Sequence, residues 1–149
     1  MLVAASIVCI AAAKAQTSHT PSLIPLPKSV EMSGGEFVFA EKLSVMVTPK
    51  AEAVFESFAK EFTKATGIKI KQVQKSNKAQ LEITLNPSIP SEGYSLEIAG
   101  SKILISASEP AGFFYALQTL KQLMPRNVMA GVCRPRYHTL GCALRKNRG

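Results

Sequence analysis

The clearest pattern of hydrophobic and polar positions lies between Ser108 and Pro125. Four apolar residues recur there at helical spacing, Phe113, Leu117, Leu120 and Met124. This spacing places them on one stripe of a helix that faces a core. We expect Ser108 to cap the free amides at the helix start and Pro125 to end the helix. Glycine at position 112 weakens a helix, so we expect another segment to pass close to the backbone of Gly112.

A second amphipathic helix is predicted from Thr48 to about Ala65. Its apolar face is formed by residues at helical intervals, Val54, Phe55, Phe58, Phe62 and Ala65. Lysine and glutamate residues occupy most of the other face, as is typical of a helix with one solvated side. Gly67 supplies the C-terminal stop.

Six short stretches alternate between apolar and polar residues or are rich in β-branched and aromatic residues, which predicts strands. They are residues 36–39, 43–48, 68–71, 81–85, 94–98 and 102–106. Residues 99–101 are expected to join the last two strands as a hairpin. The order of elements predicts an α+β fold, with a largely antiparallel (mixed) sheet and two helices packed on one face.

Residues 1–15 have the pattern of a secretory signal peptide. The apolar run at residues 2–13 is too short to span a bilayer, and Ala13-Lys14-Ala15 has the form of a cleavage site, although a basic segment before the run is missing. We therefore expect an exported protein, periplasmic or extracellular, that begins at Gln16 and has no integral membrane segment after cleavage. Residues 16–22 are predicted to be a polar linker.

The net charge of +8 is concentrated at the C-terminal end of the 149-residue chain. Residues 16–125 carry eleven Lys or Arg against ten Glu, whereas residues 126–149 carry six basic residues and no acid. The alternating patterns also stop there, so residues 130–149 are predicted to be an aberrant or disordered basic tail, the product of a frameshift or truncation. Such a tail could contact phosphates nonspecifically, but in an exported chain we expect no nucleic-acid partner.

Two segments carry a resemblance to a known family. The run Glu109 to Leu123 resembles the last helix of the N-terminal domain that precedes the catalytic barrel in glycoside hydrolase family 20, the β-N-acetylhexosaminidases. The extended Pro-x-Pro segment at Leu23 to Val30 is similar to the opening of the same domain. The order and separation of the two segments suit one such domain, at residues 23–129. The resemblance implies a parent enzyme that removes terminal N-acetylhexosamine residues from glycans, with its catalytic barrel as the partner of this domain.

The sequence assigns no catalytic residue. The resemblance implies that catalysis in this family uses an adjacent Asp-Glu pair together with the acetamido group of the substrate. This chain contains no Asp. A barrel needs at least about 200 residues, and 24 residues follow Pro125. We therefore expect the chain to be an inactive, non-catalytic domain. The alternative is a free-standing secreted module that binds a glycan or a protein. An accessory domain should expose an apolar patch for its barrel, whereas an autonomous module should not.

The tail contains the remaining candidate ligands, Cys133, His138 and Cys142, at spacings of five and four. A structural zinc site has four ligands, and no plausible fourth lies nearby. A disulfide between the two cysteines is a second possibility, and the absence of any role is the favoured interpretation. The sequence therefore predicts no metal and no cofactor.

Overall fold

A computed structural model describes residues 23–24, 27–31, 36–124, 138–140 and 143–146. Among these residues the strands, numbered in chain order, are β1 (Ser29–Glu31), β2 (Glu36–Val38), β3 (Lys42–Val47), β4 (Lys69–Gln72), β5 (Leu81–Leu85), β6 (Tyr94–Ala99), β7 (Lys102–Ala107), β8 (His138–Leu140) and β9 (Ala143–Lys146). The helices are α1 (Glu52–Thr66), which follows a 3-10 turn at Pro49–Ala51, and α2 (Pro110–Leu123). Within the described ranges, no helix is long and apolar enough to cross a membrane.

The main sheet has the strand order β1-β9-β6-β7-β5-β3-β4, and β2 pairs separately with β8. The pairs β4–β3, β3–β5 and β5–β7 are parallel, and the pairs β7–β6, β6–β9 and β9–β1 are antiparallel. The predicted α+β fold with a mixed sheet is confirmed. Four of the seven described strand pairs are antiparallel, counting β2–β8, and three are parallel, in agreement with the expected largely antiparallel, mixed pairing.

The core lies between one face of this sheet and both helices. Alternate residues of the four central strands are buried there, including Leu43, Val45, Leu81, Ile83, Leu96, Ile98, Ile103 and Ile105. Both predicted helical stripes also reach the core, α1 with Phe55, Phe58 and Phe62 and α2 with Phe113, Leu117, Leu120 and Met124. Helices on a single face leave the other face of the sheet polar, as the alternating strands predicted.

The close approach predicted at Gly112 is confirmed. A Cβ atom built on Gly112 would lie 2.2 Å from the carbonyl oxygen of Gly93 and 2.9 Å from the Cβ atom of Ala107. The backbone of α2 therefore rests directly on the segment that leads into β6. Tyr94, the next residue, is buried and lies with its hydroxyl 2.7 Å from the hydroxyl of Thr119 on α2.

The expected capping role of Ser108 is wrong. The N-cap of α2 is Glu109, which makes no side-chain capping bond, and the Ser108 hydroxyl donates to the Pro90 carbonyl at 3.4 Å. Instead, the Nζ atom of Lys50 donates to the Ser108 carbonyl at 3.0 Å and pairs with the Glu109 carboxylate at 3.1 Å. The starts of the two helical segments are thus tied together by one lysine.

Part of the predicted disordered tail forms strands. β9 pairs with β1 on one side and β6 on the other, and β8 pairs with β2. The prediction of disorder is therefore wrong for these seven residues, because strand pairing satisfies backbone N–H and C=O groups whatever the side-chain pattern. The other residues of the tail, the signal peptide at 1–15 and the linker at 16–22 lie outside the described residues.

Candidate docking surface

The side chain of Gln122 joins the two segments that carried the family resemblance. Its Nε2 atom donates to the Ile24 carbonyl at 2.8 Å, and the Ile24 backbone N–H donates to its Oε1 atom at 2.9 Å. The carboxamide thus satisfies both backbone groups of Ile24, as a neighbouring strand would. We call this pair of bonds the Gln122–Ile24 clamp. The clamp fixes the N-terminal segment at Ile24 against the C-terminal end of α2.

The clamp presents an apolar side chain to solvent. Leu23 and Pro27 are buried on either side, whereas 79% of Ile24 is exposed. Because Leu23 is packed in the core and both backbone groups of Ile24 are bonded, the direction of the Ile24 side chain is fixed. A single exposed apolar residue is ordinary on a protein surface, so its significance depends on the residues beside it.

The exposed stripe of α2 continues this surface. Phe114, Gln118 and Gln122 follow one another at intervals of four residues and therefore share one side of the helix. The exposed fraction of Phe114 is 48%, and its ring contacts Tyr115 edge-on with centroids 5.8 Å apart. We define the α2 outer surface as Phe114, Gln118, Gln122 and Ile24. It runs over about 12 Å, given a rise of about 1.5 Å per residue from Phe114 to Gln122.

An ion pair links this surface to the neighbouring helix. The Nζ atom of Lys121 on α2 lies 2.7 Å from the carboxylate of Glu61 on α1. The hydrogen bond from Lys121, together with its charge, lowers the pKa of the Glu61 carboxyl. Such an exposed pair adds little stability, but it orients the two helices beside the α2 outer surface.

A different carboxylate lies on the polar face of the sheet. Glu82 is nearly buried, accepts a hydrogen bond from the Ser76 hydroxyl at 2.6 Å and forms an ion pair with Lys102. These two hydrogen bonds, that of Lys102 first, lower the pKa of the Glu82 carboxyl. The general acid of a glycosidase requires the opposite shift, so that it still holds its proton near neutral pH. Glu82 is therefore suited to a structural ion pair and not to proton donation.

The other polar groups of that face also bond to each other. The Gln80 Oε1 atom accepts from the Ser44 backbone N–H at 3.2 Å, and the Thr84 and Ser106 hydroxyls lie 3.0 Å apart. Four large hydrophobic residues are exposed in the described part of the chain, Ile24, Val38, Leu85 and Phe114. Two of them belong to the α2 outer surface, so this surface is the stronger docking candidate.

The ligand candidates of the tail fall on residues whose side chains the structure does not describe. Cys133 and Cys142 lie outside the described residues, and only the backbone of His138 is described, in β8. Within the described ranges, no three His, Cys, Asp or Glu side chains are grouped as for a metal ion. The Gln122–Ile24 clamp was not predicted, although the two residues belong to the two segments that carry the family resemblance.

The fold is a small α+β domain in which one face of the sheet is polar and the outer side of α2 exposes Phe114 beside two glutamines. The chain belongs to glycosyl hydrolase family 20, since the model of that family's domain 2 matches residues 20–138. This match includes the first residues beyond the predicted domain end at 129.

Solved structures of several bacterial enzymes share the fold. The GH20 exo-β-N-acetylglucosaminidase of Vibrio harveyi superposes with a TM-score of 0.68 at 23% identity, over 84% of this chain and 19% of that one. The N-acetyl-β-hexosaminidase of Streptomyces plicatus superposes with a TM-score of 0.71 at 23% identity, over 81% of this chain and 25% of that one. The β-N-acetylhexosaminidase of Bacteroides fragilis has a TM-score of 0.67 at 19% identity, over 83% of this chain and 24% of that one. The chain therefore spans a quarter or less of the length of these enzymes.

Proposed function

We propose that this chain acts as the non-catalytic accessory domain of an exported β-N-acetylhexosaminidase and packs against the catalytic barrel through the α2 outer surface. The observation that carries the proposal is the Gln122–Ile24 clamp in a domain of this family. The clamp holds an exposed apolar residue beside Met124, where α2 ends and the chain continues.

The charges support a non-catalytic role. The chain has no Asp, and three of its described glutamates, Glu61, Glu82 and Glu109, each pair with a lysine. Family 20 is an exception to the usual pair of carboxyl groups and uses the acetamido group of the substrate, and the Asp of the Asp-Glu pair that the resemblance implies is absent from this chain. Hydrolysis of terminal N-acetylhexosamine would thus be the work of the barrel in the parent enzyme.

Activity is tested with the purified chain and an aryl N-acetyl-β-glucosaminide. We expect no release of chromophore, with the Streptomyces plicatus enzyme as positive control. Turnover that persists when the chain is produced in a host without hexosaminidases would refute the non-catalytic role.

Docking is tested by joining this domain to a family 20 barrel and following thermal unfolding. The two parts should unfold in one transition, and Phe114→Ser should separate the transitions. Val38→Ser is the matched control, because Val38 is equally exposed at 48% but lies on β2, outside the α2 outer surface. Equal effects of the two substitutions would contradict docking through this surface.

Export is tested separately by sequencing the N-terminus of secreted material. Cleavage after the Ala13-Lys14-Ala15 site should leave Gln16 as the first residue. Secreted material that begins at Met1 would contradict the signal peptide.

A further inference from the structure

A cavity of about 590 Å³ opens at the carboxyl ends of β3 and β5. Its walls are formed by the last residues of these strands, by the segment that leaves β4 and by the first turn of α1; they are Met46–Thr48, Ile83–Leu85, Gln72–Gln74 and Glu52. The volume falls in the range of small-molecule sites, about 300–1,000 Å³. None of the functions discussed above uses this cavity.

The cavity lies at the carboxyl ends of two parallel strands from which the chain continues to different sides. β3 and β5 are adjacent and parallel, but the chain leaves them in opposite directions. After β3 it passes through α1 to β4, on one side of β3, and after β5 it passes to β6, beyond β7. The segment that follows β4 borders the ends of β3 and β5, and these three parts of the chain form most of the wall of the cavity, which we call the crevice.

The crevice is held open by the strand ends themselves. β4 pairs with β3 only as far as Val45, with a last bond from the Val73 N–H to the Val45 carbonyl at 2.8 Å. On the other side, the Thr48 N–H donates to the Ile83 carbonyl at 3.0 Å, which ties the end of β3 to β5. The gap therefore lies between a fixed β3–β5 pair and the segment Gln72–Gln74.

The polar groups in the walls are mostly neutral hydrogen-bonding groups. Two carboxamides and two hydroxyls line the cavity, on Gln72, Gln74, Thr48 and Thr84. Among the described lining residues the only charge is the exposed carboxylate of Glu52. Amides and hydroxyls both donate and accept hydrogen bonds, and an ionised carboxylate only accepts them. The aliphatic residues Val47, Ile83 and Leu85 complete the walls with apolar surface.

This set of groups disfavours an anionic ligand. The turn after β3 begins with Pro49, which has no N–H to offer a phosphate. The lysine of that turn, Lys50, is engaged with Glu109 and the Ser108 carbonyl of α2. The Glu52 carboxylate would in addition repel a negative charge. A ligand with many hydroxyl groups and no charge fits the donors, the acceptors and the apolar wall together.

We propose that the crevice between β3, β5 and Gln72–Gln74 is a binding site for a neutral saccharide. The carboxamides of Gln72 and Gln74 and the carboxylate of Glu52 bind its hydroxyl groups, and the aliphatic wall contacts its C–H groups. All residues of the site belong to this chain, so the proposed saccharide binding does not depend on the proposed docking to a barrel.

The test is a titration of the full, ¹⁵N-labelled chain followed by NMR, with N-acetylglucosamine and its β-1,4-linked disaccharide as probes. We expect amide shifts confined to residues 46–48, 72–74 and 83–85, saturating at millimolar concentrations. Gln72→Ala and Gln74→Ala should each weaken binding about 3- to 10-fold, the effect of one lost hydrogen bond. Both side chains are exposed, so the variants should keep the thermal midpoint of the parent chain.

Gln118→Ala, on the α2 outer surface, is the control and should bind like the parent chain. Three results would overturn the proposal: no shifts at 100 mM saccharide, shifts that map outside the crevice, or equal shifts with inorganic phosphate. Failure of the docking experiment would leave these outcomes unaffected, because the titration uses this chain alone.

Discussion

Replacing Gly112 by alanine tests the tightest contact in the described domain. The new Cβ atom would lie 2.2 Å from the Gly93 carbonyl oxygen, where an ordinary carbon–oxygen contact is about 3.3 Å or more. The obstacle is a backbone atom, so it has no rotamer by which to move aside. The Ala107 Cβ atom, at 2.9 Å, blocks a second direction. The start of α2 would therefore have to move about 1 Å from the sheet.

Two effects of opposite sign set the magnitude. Alanine is favoured over glycine in a helix interior by at most about 1 kcal/mol. Overpacking of a close-packed core costs typically about 1–3 kcal/mol and occasionally more. Because the clash involves backbone on both sides, we place its cost at or above the upper end of this range. The net loss should then be about 2–3 kcal/mol, a drop of roughly 5–15 °C in the thermal midpoint for a domain of this size.

Urea and thermal unfolding of Gly112→Ala and of Ala111→Gly provide the comparison. Ala111 is the exposed neighbour in the same helical turn, so its change to glycine reports helix propensity without the contact. We expect Gly112→Ala to lose clearly more stability than Ala111→Gly. A midpoint for Gly112→Ala at or above that of the parent chain would show that propensity outweighs the contact, and would refute the reasoning.

Three further predictions concern the core, an ion pair and the tail. Leu117→Ala should cost about 2–5 kcal/mol in unfolding free energy because the side chain is only 1% exposed. Gln118→Ala, at a half-buried position, should cost far less. An unchanged denaturant midpoint in Leu117→Ala would mean that the apolar side of α2 does not pack in the core. The lowered pKa of Glu82 adds stability that is fully present above the unfolded-state value of about 4.3 and is lost as the pH falls through the lower folded-state value. Glu82→Gln should therefore flatten the fall in thermal midpoint between about pH 5 and pH 3, and an equally steep fall would contradict the ion pair. Deletion of residues 130–149 should lower the thermal midpoint by several degrees, because β9 pairs on both sides within the sheet. A thermal midpoint equal to that of the parent chain would instead support the prediction of a disordered tail.

The sequence determined the two helices, six of the nine described strands, and the buried sides of the helices and central strands. The periodicity at Phe113, Leu117 and Leu120 predicted both the helix and its core face, and alternation predicted strands within about two residues of their observed bounds. Even the close approach at Gly112 was predictable, because a glycine that weakens its helix implies a contact that excludes a side chain. These features follow from side-chain spacing, which is local.

Tertiary structure alone decided strand order, the place of β9 and the Gln122–Ile24 clamp. Backbone hydrogen bonds form between any two strands, so side-chain spacing does not choose between a parallel and an antiparallel neighbour. The clamp joins residues separated by 98 positions, and the crevice beside Thr84 is formed by segments that are far apart in the sequence. Both surfaces to which we assign a function therefore arise from non-local pairing, which becomes fixed only when the whole domain packs.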